Sequence, residues 1–358
     1  MRVDVLVVGA GPAGSTTARF CAGPDTSVLM IDRRKEIGEP VQCGELLPST
    51  KEMYSIFPEG SELEELFDLD SSLVEGSCSS IEMISPRGRA YSIDFASNTL
   101  DRRVFDKHLA ALAVERGARL EKSTSLISIN GSVAETTMGN IEAKVVVGAD
   151  GPNSLVARQA GLQRPVLRYP AITGRADGDF GHAVKMFFGK VAPGGYAWII
   201  PKDEGANIGL GFNEKAFTKR PSAALEEFAS SLGCGVSDAS LGFVPMSGPV
   251  PCTARGTTLL VGDAAGHTMP SNGGGIPTAM IAGRFAGKAI KAHLGDGTSL
   301  TKYEDAWRRV MEAPLRNSLR TRRLADFAFS SDALLGGAMA VLGRRGLDRA
   351  IRCQRLFL

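Results

Sequence analysis

The chain has 358 residues, 43% of them hydrophobic and 22% charged, with a formal net charge of only +2. That length exceeds one comfortable hydrophobic core and predicts two lobes, while the near-neutral charge argues against a nucleic-acid binder. Six cysteines, at 21, 43, 78, 234, 252 and 353, form no CxxC or metal-ligand spacing, so free thiols, no metal site and a reducing cytoplasm are expected.

The chain opens on "VDVLVV" (3–8), which reads as a buried parallel strand with no signal peptide ahead of it. "GAGPAG" follows, with Gly9, Gly11 and Gly14 in GxGxxG spacing, then a helix-like "STTARFCA" and a second strand, "SVLMID" (27–32), ending in Asp32. This is a complete βαβ unit of the size a dinucleotide fingerprint requires. Gly9 allows the tight turn, Gly11 lets the backbone approach a pyrophosphate, and Gly14 lets helix and strand pack closely. The helix N-terminus offers free N–H groups and partial positive charge, and Asp32 stands where an acid accepts from a ribose hydroxyl. "EPVQCGELLP" (39–48) places Cys43 beside Gly44 and Glu45 with no metal partner or basic neighbour, so the sequence gives no reason to read it as a nucleophile.

Residues 74–95 read as two strands with a turn at "SPRG". "LDRRVFDKHLAALAVERGARL" (100–120) predicts an amphipathic helix with Leu109, Leu112 and Val114 toward the core. "AKVVVGADGPNSLVAR" (143–158) is a strand running into Gly148, Asp150 and Gly151 before another helix. Between 161 and 250, "HAVKMFFG", "GYAWIIPK" and "ANIGLGF" are strand-like runs of an antiparallel sheet, with a surface helix within 215–232. "GTTLLVGDAAGHTMPSNGGGIPTAMIAGRFAGKAI" (256–290) is a strand ending at Gly262-Asp263, a loop, Gly273–Gly275 and a helix. A nicotinamide domain has no need of this last arrangement, whereas a flavin does. Asp263 can bond ribityl hydroxyls, and a helix N-terminus at Gly273–Gly275 favours the negative charge of a reduced isoalloxazine. The tail, 300–358, reads as arginine-rich helices, which suit either an anionic membrane surface or an ordinary solvated face. There is no internal repeat, and no run of about 18 apolar residues long enough to span a membrane.

"GAGPAG", "GADGPNS" and "VGDAAG…GGGI" together resemble the FAD-dependent fold of aromatic hydroxylases. Within that fold, "PVQCGE", "LDRRVFDKHLA", "APGGYAWIIPK" and "PSNGGGI" resemble the geranylgeranyl reductase branch, over most of residues 1–310. The resemblance implies an α/β fold: a Rossmann-like FAD-binding domain from 1–70, 100–160 and 250–300, an inserted antiparallel-sheet substrate domain from 71–99 and 161–249, and a helical C-terminal region, 301–358. It implies FAD held by Gly9, Gly11, Pro12, Ala13, Gly14, Asp32, Arg33, Cys43, Gly44, Arg102, Asp150, Gly262, Asp263, Gly273, Gly274, Gly275 and Ile276, with Arg102 toward the pyrophosphate or ribose end.

The implied reaction saturates C=C bonds of geranylgeranyl chains in ether-lipid precursors. An isolated alkene has no carbonyl to accept negative charge, so a proton must accompany the hydride. Cys43 is expected beside flavin and substrate as a pocket wall or proton source, and Glu45 as a proton relay or loop brace. Tyr196, Trp198 or Phe187 offer ring faces to transient positive charge. Among the four histidines, only His267 falls in a cofactor-region loop, and its expected role is structural. Two departures stand out: Gln42 occupies a position where the branch more often has Arg, and the chain ends early after 310 relative to the family. With no second dinucleotide fingerprint, ferredoxin, transiently bound NADPH and reduced deazaflavin are all open as electron donors. The alternatives are a monooxygenase or halogenase of the same fold, and a flavoprotein that only carries lipid or electrons. Tyr196 at the first aromatic position of "YAWIIPK" counts against a halogenase.

Overall fold

Strands apolar on both faces must be covered on both sides, and strands of alternating polarity only on one; this protein has two sheets, and the second holds strands of both kinds. The computed structural model describes residues 1–60 and 63–357, so the expected first lobe and tail are described without 61, 62 and 358. The chain runs β1 (Arg2–Val8), α1 (Pro12–Cys21), β2 (Val28–Ile31), β3 (Leu46–Pro48), α2 (Thr50–Ile56), α3 (Glu64–Phe67), β4 (Val74–Ile84) and β5 (Ala90–Leu100). Next come α4 (Arg102–Glu115), β6 (Arg119–Glu121), β7 (Leu126–Asn130), β8 (Val133–Thr136), β9 (Gly139–Gly148) and α5 (Leu155–Gln159). Then follow β10 (Arg168–Ala176), β11 (Ala183–Phe188), β12 (Tyr196–Pro201), β13 (Ala206–Gly211), α6 (Pro221–Ser231) and β14 (Ser237–Pro245). The chain closes with β15 (Ala254–Arg255), β16 (Thr258–Leu260), α7 (Ile276–Asp296), α8 (Lys302–Trp307), α9 (Ala313–Ala328) and α10 (Asp332–Ile351).

The first sheet has the order β15-β16-β9-β1-β2-β6, with the β7–β8 hairpin attached to β9. The four pairings from β16 to β6 are parallel, and Val8 stands level with both Ile31 and Gly148, as Leu260 does with Gly148. Three glycine-bearing turns therefore leave the sheet side by side. Helix α1 lies against α7 at backbone contact: a Cβ on Gly283 would come within 2.6 Å of the Ala13 carbonyl oxygen. In α4, Leu109 is buried and Leu112 half-buried as expected, but Val114 is 47% exposed. The helix ends with Arg116 at its C-cap, and Val114 falls on the solvent side of that last turn.

The second sheet has the order β14-β10-β13-β12-β11-β4-β5-β3. It is not wholly antiparallel: β11 runs parallel to β4, because the chain reaches it after a long excursion rather than through a hairpin. It also takes β3 from the stretch expected in the first lobe, and β3 pairs with β5. Strand β12 alternates cleanly. Ala197 and Ile199 face a cluster with Leu225 and Phe228 of α6, and Tyr196, Trp198 and Ile200 face the opposite way.

The tail is part of the core rather than an appendage. Trp307 is fully buried and donates from Nε1 to Thr253 Oγ1 at 2.9 Å, and the Tyr303 hydroxyl donates to the Leu260 carbonyl at 2.8 Å. A π-helical turn, Arg308–Glu312, joins α8 to α9, and a left-handed φ at Gly343 breaks α10. Among the described residues no helix is long and apolar enough to cross a membrane, and all six cysteines are free.

Candidate active site

A cavity of about 900 Å³ lies between the ends of the parallel strands and the inner face of the second sheet. Its first half is built from backbone. Gly9 has φ +103°, which glycine alone adopts without strain, and a Cβ there would sit 2.3 Å from the Ala149 oxygen. A Cβ on Gly14 would lie 1.9 Å from the Gly9 oxygen, so this glycine serves packing and does not line the cavity. Gly11 does line it, and a Cβ there would meet nothing within 4 Å. Gly11 is also the N-cap of α1 and provides no side-chain cap, so the helix N-terminus opens on the cavity. Pro12, Ala13 and Arg33 line this same end.

Asp32 is buried at the tip of β2. Its Oδ2 accepts from Ala10 N and its Oδ1 from Arg34 N, both at 2.8 Å, so it braces the turn while lining the cavity. Asp150 also lines the cavity, but its carboxylate caps α5, accepting from Ser154 Oγ and Leu155 N at 2.6 Å each; burial still raises its carboxyl above the usual range. Asp263 accepts from Thr268 Oγ1 at 2.9 Å, and burial pushes its carboxyl up as well. Gly262 is buried against Ala13 and does not reach the cavity. Gly273, Gly274, Gly275 and Ile276 all line it, and Gly275 caps α7 with no side-chain acceptor.

This half fits an FAD. Two uncapped helix N-termini face one cavity, the backbone at Gly11 is open to it, and Asp263 has a single hydrogen-bond donor among the described residues, leaving acceptor capacity for hydroxyls.

The second half is built from side chains. Cys43 lines the cavity with Tyr196 and Trp198, and its Sγ accepts from Glu45 N at 3.2 Å. Burial raises the thiol, with the nearby Arg102 charge opposing, so the neutral form is the resting one. Arg102 is held by Asp106 through bonds of 2.6 and 2.7 Å. Burial works against its charge, but Asp106, with Cys43 beside it, holds the guanidinium above its usual range. Its guanidinium is thus anchored in α4 beside Cys43 rather than free.

Glu45 has φ +63°, an unusual backbone state for a side chain, and costs of order 1 kcal/mol. Four contacts hold it there. Its carbonyl accepts from Leu100 N at 2.9 Å, its Oε1 from Arg102 N at 2.9 Å and its Oε2 from Asn207 Nδ2 at 3.0 Å, and Lys202 Nζ stands 2.7 Å from Oε2. Asn207 also donates to the Cys43 carbonyl at 2.9 Å and accepts from Trp198 Nε1 at 2.8 Å and Thr173 Oγ1 at 2.7 Å. One amide thus fixes the cysteine loop, the carboxylate and the indole together. Tyr196 donates from its hydroxyl to the Asn272 carbonyl at 2.5 Å, and burial pushes its phenol up to about 12.

Gln42 lines the cavity mouth and donates to the Leu241 carbonyl at 2.7 Å. Phe187 points away from the cavity and packs edge-on to Phe228 at 5.5 Å. His267 is fully buried against Trp307, 4.5 Å between centroids, and lies outside the cavity. Arg322 also lines the cavity, donating to the Gly194 carbonyl at 2.8 Å, and like Asn207 and Lys202 it carries no site signal in the sequence. Asn207 meets Glu45 across 162 residues of chain, and no local pattern announces such a pairing.

The family described as the geranylgeranyl reductase catalytic domain matches residues 167–240. Digeranylgeranylglycerophospholipid reductase 1 of Methanococcoides burtonii is 34% identical, over 94% of this chain and 87% of that protein. The Methanocaldococcus jannaschii digeranylgeranylglycerophospholipid reductase is also 34% identical, over 90% of this chain and 86% of its own length. The crystal structure of a geranylgeranyl bacteriochlorophyll reductase-like protein from Thermoplasma acidophilum superposes with a TM-score of 0.82 at 28% identity, covering 95% of this chain and 91% of that one. A flavin-dependent brominase, 18% identical with a TM-score of 0.73 over 98% of this chain and 95% of its own, shares the fold. The cofactor is FAD, and the chain belongs to the geranylgeranyl reductase family of flavin-dependent oxidoreductases.

Proposed function

We propose that this protein saturates the C=C bonds of geranylgeranyl chains in ether-lipid precursors of the digeranylgeranylglycerophospholipid type. The segments of the first sheet hold FAD, and the second sheet, with the tail, walls the substrate. The observation that carries the reading is the composition of the cavity wall around Cys43. Ile81, Phe95, Val184, Met186, Trp198 and Ile200 make it apolar, as an isoprenoid needs and a polar aromatic substrate does not.

Reduced FAD supplies the hydride. The chain's own residues supply the rest. Cys43 rests as a neutral thiol in a buried wall, so it carries a proton to give. The thiolate left behind is met by the Glu45 N–H and the Arg102 charge, both already in place. Trp198 and Tyr196 offer ring faces to positive charge that grows on the alkene carbon. Asn207 and Glu45 are positioning residues that keep thiol and indole in one geometry. Electrons come from an external donor: ferredoxin, NADPH or reduced deazaflavin.

Anaerobic incubation with dithionite and a geranylgeranyl lipid, followed by mass spectrometry, tests the reading. A gain of two hydrogens per double bond supports it. A product that forms only in air indicates a monooxygenase, and bound FAD with no product indicates a carrier.

A further inference from the structure

The cavity accounts for the inner faces of α9 and α10, where Arg322 and Ile351 line it. Their outer faces are unclaimed. On α9, Arg316, Arg320, Arg323, Leu324 and Phe327 recur at helical spacing and are exposed, Leu324 to 54% and Phe327 to 75%. On α10, before the break at Gly343, the exposed stripe is Ala333, Leu334, Gly337, Ala340 and Val341, the last 84% exposed. Large apolar side chains at such exposure on adjacent helices are unfavourable in water unless something covers them.

Charge narrows what that is. Arg316, Arg320 and Arg323 have no acidic partner among the described residues, and the neighbouring acid, Asp326, is already bound to Arg322 at 2.7 Å. The face is therefore apolar at the α9–α10 turn and positive along α9, the pattern of a helix lying in a lipid headgroup layer. A run of rings leads inward from the same turn. Phe329 lies 6.5 Å from Phe188, Phe188 5.8 Å from Tyr196, and Tyr196 6.0 Å from Trp198 in the cavity. The helices also hold the cofactor loop: Ser271 N donates to Ser318 Oγ of α9 at 2.9 Å, and Asn272 Nδ2 to the Ile351 carbonyl of α10 at 3.2 Å.

We propose that the outer face of the α9–α10 hairpin docks on an anionic bilayer, with Leu324, Phe327, Leu334 and Val341 in the acyl boundary and the three arginines on headgroup phosphates. Docking sets the Phe329–Phe188–Tyr196 run at the lipid edge, where a substrate chain leaves the bilayer. This deepens, and rests on, the reading of a lipid substrate.

The test is flotation of the holoenzyme with vesicles of phosphatidylcholine and phosphatidylglycerol in equal parts, against vesicles of phosphatidylcholine alone. The wild type floats with the anionic vesicles and much less with the neutral ones. L324E/F327E/V341E and R316E/R320E/R323E each lower partition about tenfold or more while keeping bound FAD and the far-ultraviolet circular dichroism of the wild type. Failure of the wild type to float overturns the proposal, as do variants that float equally well. So does sedimentation velocity showing a wild-type dimer that L324E/F327E/V341E dissociates, since the face would then cover a second copy. Should one variant misfold, the other carries the test, because each set removes a different half of the attraction. Flotation reads no catalysis. A protein that floats but leaves detergent-dispersed geranylgeranyl lipid unreduced would refute the substrate reading and leave the docking face standing.

Discussion

The two halves of the cavity are made differently. The cofactor half is backbone: strand ends in register, glycine turns, and helix N-termini that no side chain caps. The half proposed for the substrate is side chain: a strained glutamate from the Cys43 loop, and an indole, a lysine and an asparagine from the β12–β13 hairpin, fixed by mutual hydrogen bonds. A backbone site tolerates no added side chain where it opens to its ligand, but it needs little support from neighbours. A side-chain site fails by degrees as its network is cut.

The sharpest test of that contrast uses two glycines of one motif. Gly11→Val keeps the fold, since a Cβ there meets no other atom of the described residues within 4 Å, and abolishes FAD binding; the protein purifies colourless with an apoprotein-like melting curve. Gly14→Val instead drives the new side chain into the Gly9 carbonyl and gives insoluble protein. If Gly11→Val binds FAD normally, the backbone account of the cofactor half is wrong.

In the other half, Cys43→Ala keeps FAD and lowers anaerobic turnover about a hundredfold, the range for losing a positioned acid. Its pH profile separates acid from wall. Because burial raises the thiol, the wild type stays active to pH values above the usual thiol range and declines as pH rises through the raised pKa. Cys43→Ala lacks that alkaline decline. An unchanged profile would make Cys43 a wall only. Cutting the network is milder: Asn207→Ala leaves the Trp198 N–H and one Glu45 oxygen without that partner, costs about 1–3 kcal/mol of stability, and lowers turnover about tenfold. Trp198 emission should shift, with buried Trp307 as the internal constant; equal turnover by Asn207→Ala would remove the residue from the account.

The smallest effect lies outside both halves. His267 is buried, neither ring nitrogen has a hydrogen-bond partner among the described residues, and burial lowers its pKa to about 3. The unfolded chain takes up a proton near the usual value of about 6.5, so folding stability falls as pH drops from there toward about 3. His267→Leu flattens that loss in urea unfolding at pH 5 relative to pH 7, and an unchanged slope would show that water or a neighbour satisfies the ring.

The same contrast explains what the sequence reveals. Gly9, Gly11, Gly14 and Asp32 mark the half proposed for the cofactor because a βα turn is local, and each glycine has its own use there: turn, ligand approach and packing. The apolar runs of β1, β9 and β16 mark them as strands, but a run apolar on both faces does not fix the register that aligns them. Asn207, Lys202 and Arg322 stay hidden because each acts through contacts far along the chain. The parallel β11–β4 pair is hidden for the same reason. Helical period alone points Val114 inward, yet it falls on the solvent side of the last turn of α4. The cofactor-side aspartates show a subtler limit. Position placed Asp32 and Asp150 at the cavity, but only geometry reveals that their oxygens already brace backbone.

Whether a flavin held by the backbone half reduces an alkene held by the side-chain half is read most plainly by stopped-flow absorbance of the anaerobically reduced holoenzyme mixed with a geranylgeranyl lipid. The oxidised-flavin spectrum should return without oxygen, and far more slowly in Cys43→Ala. A spectrum that stays reduced until air is admitted would contradict it.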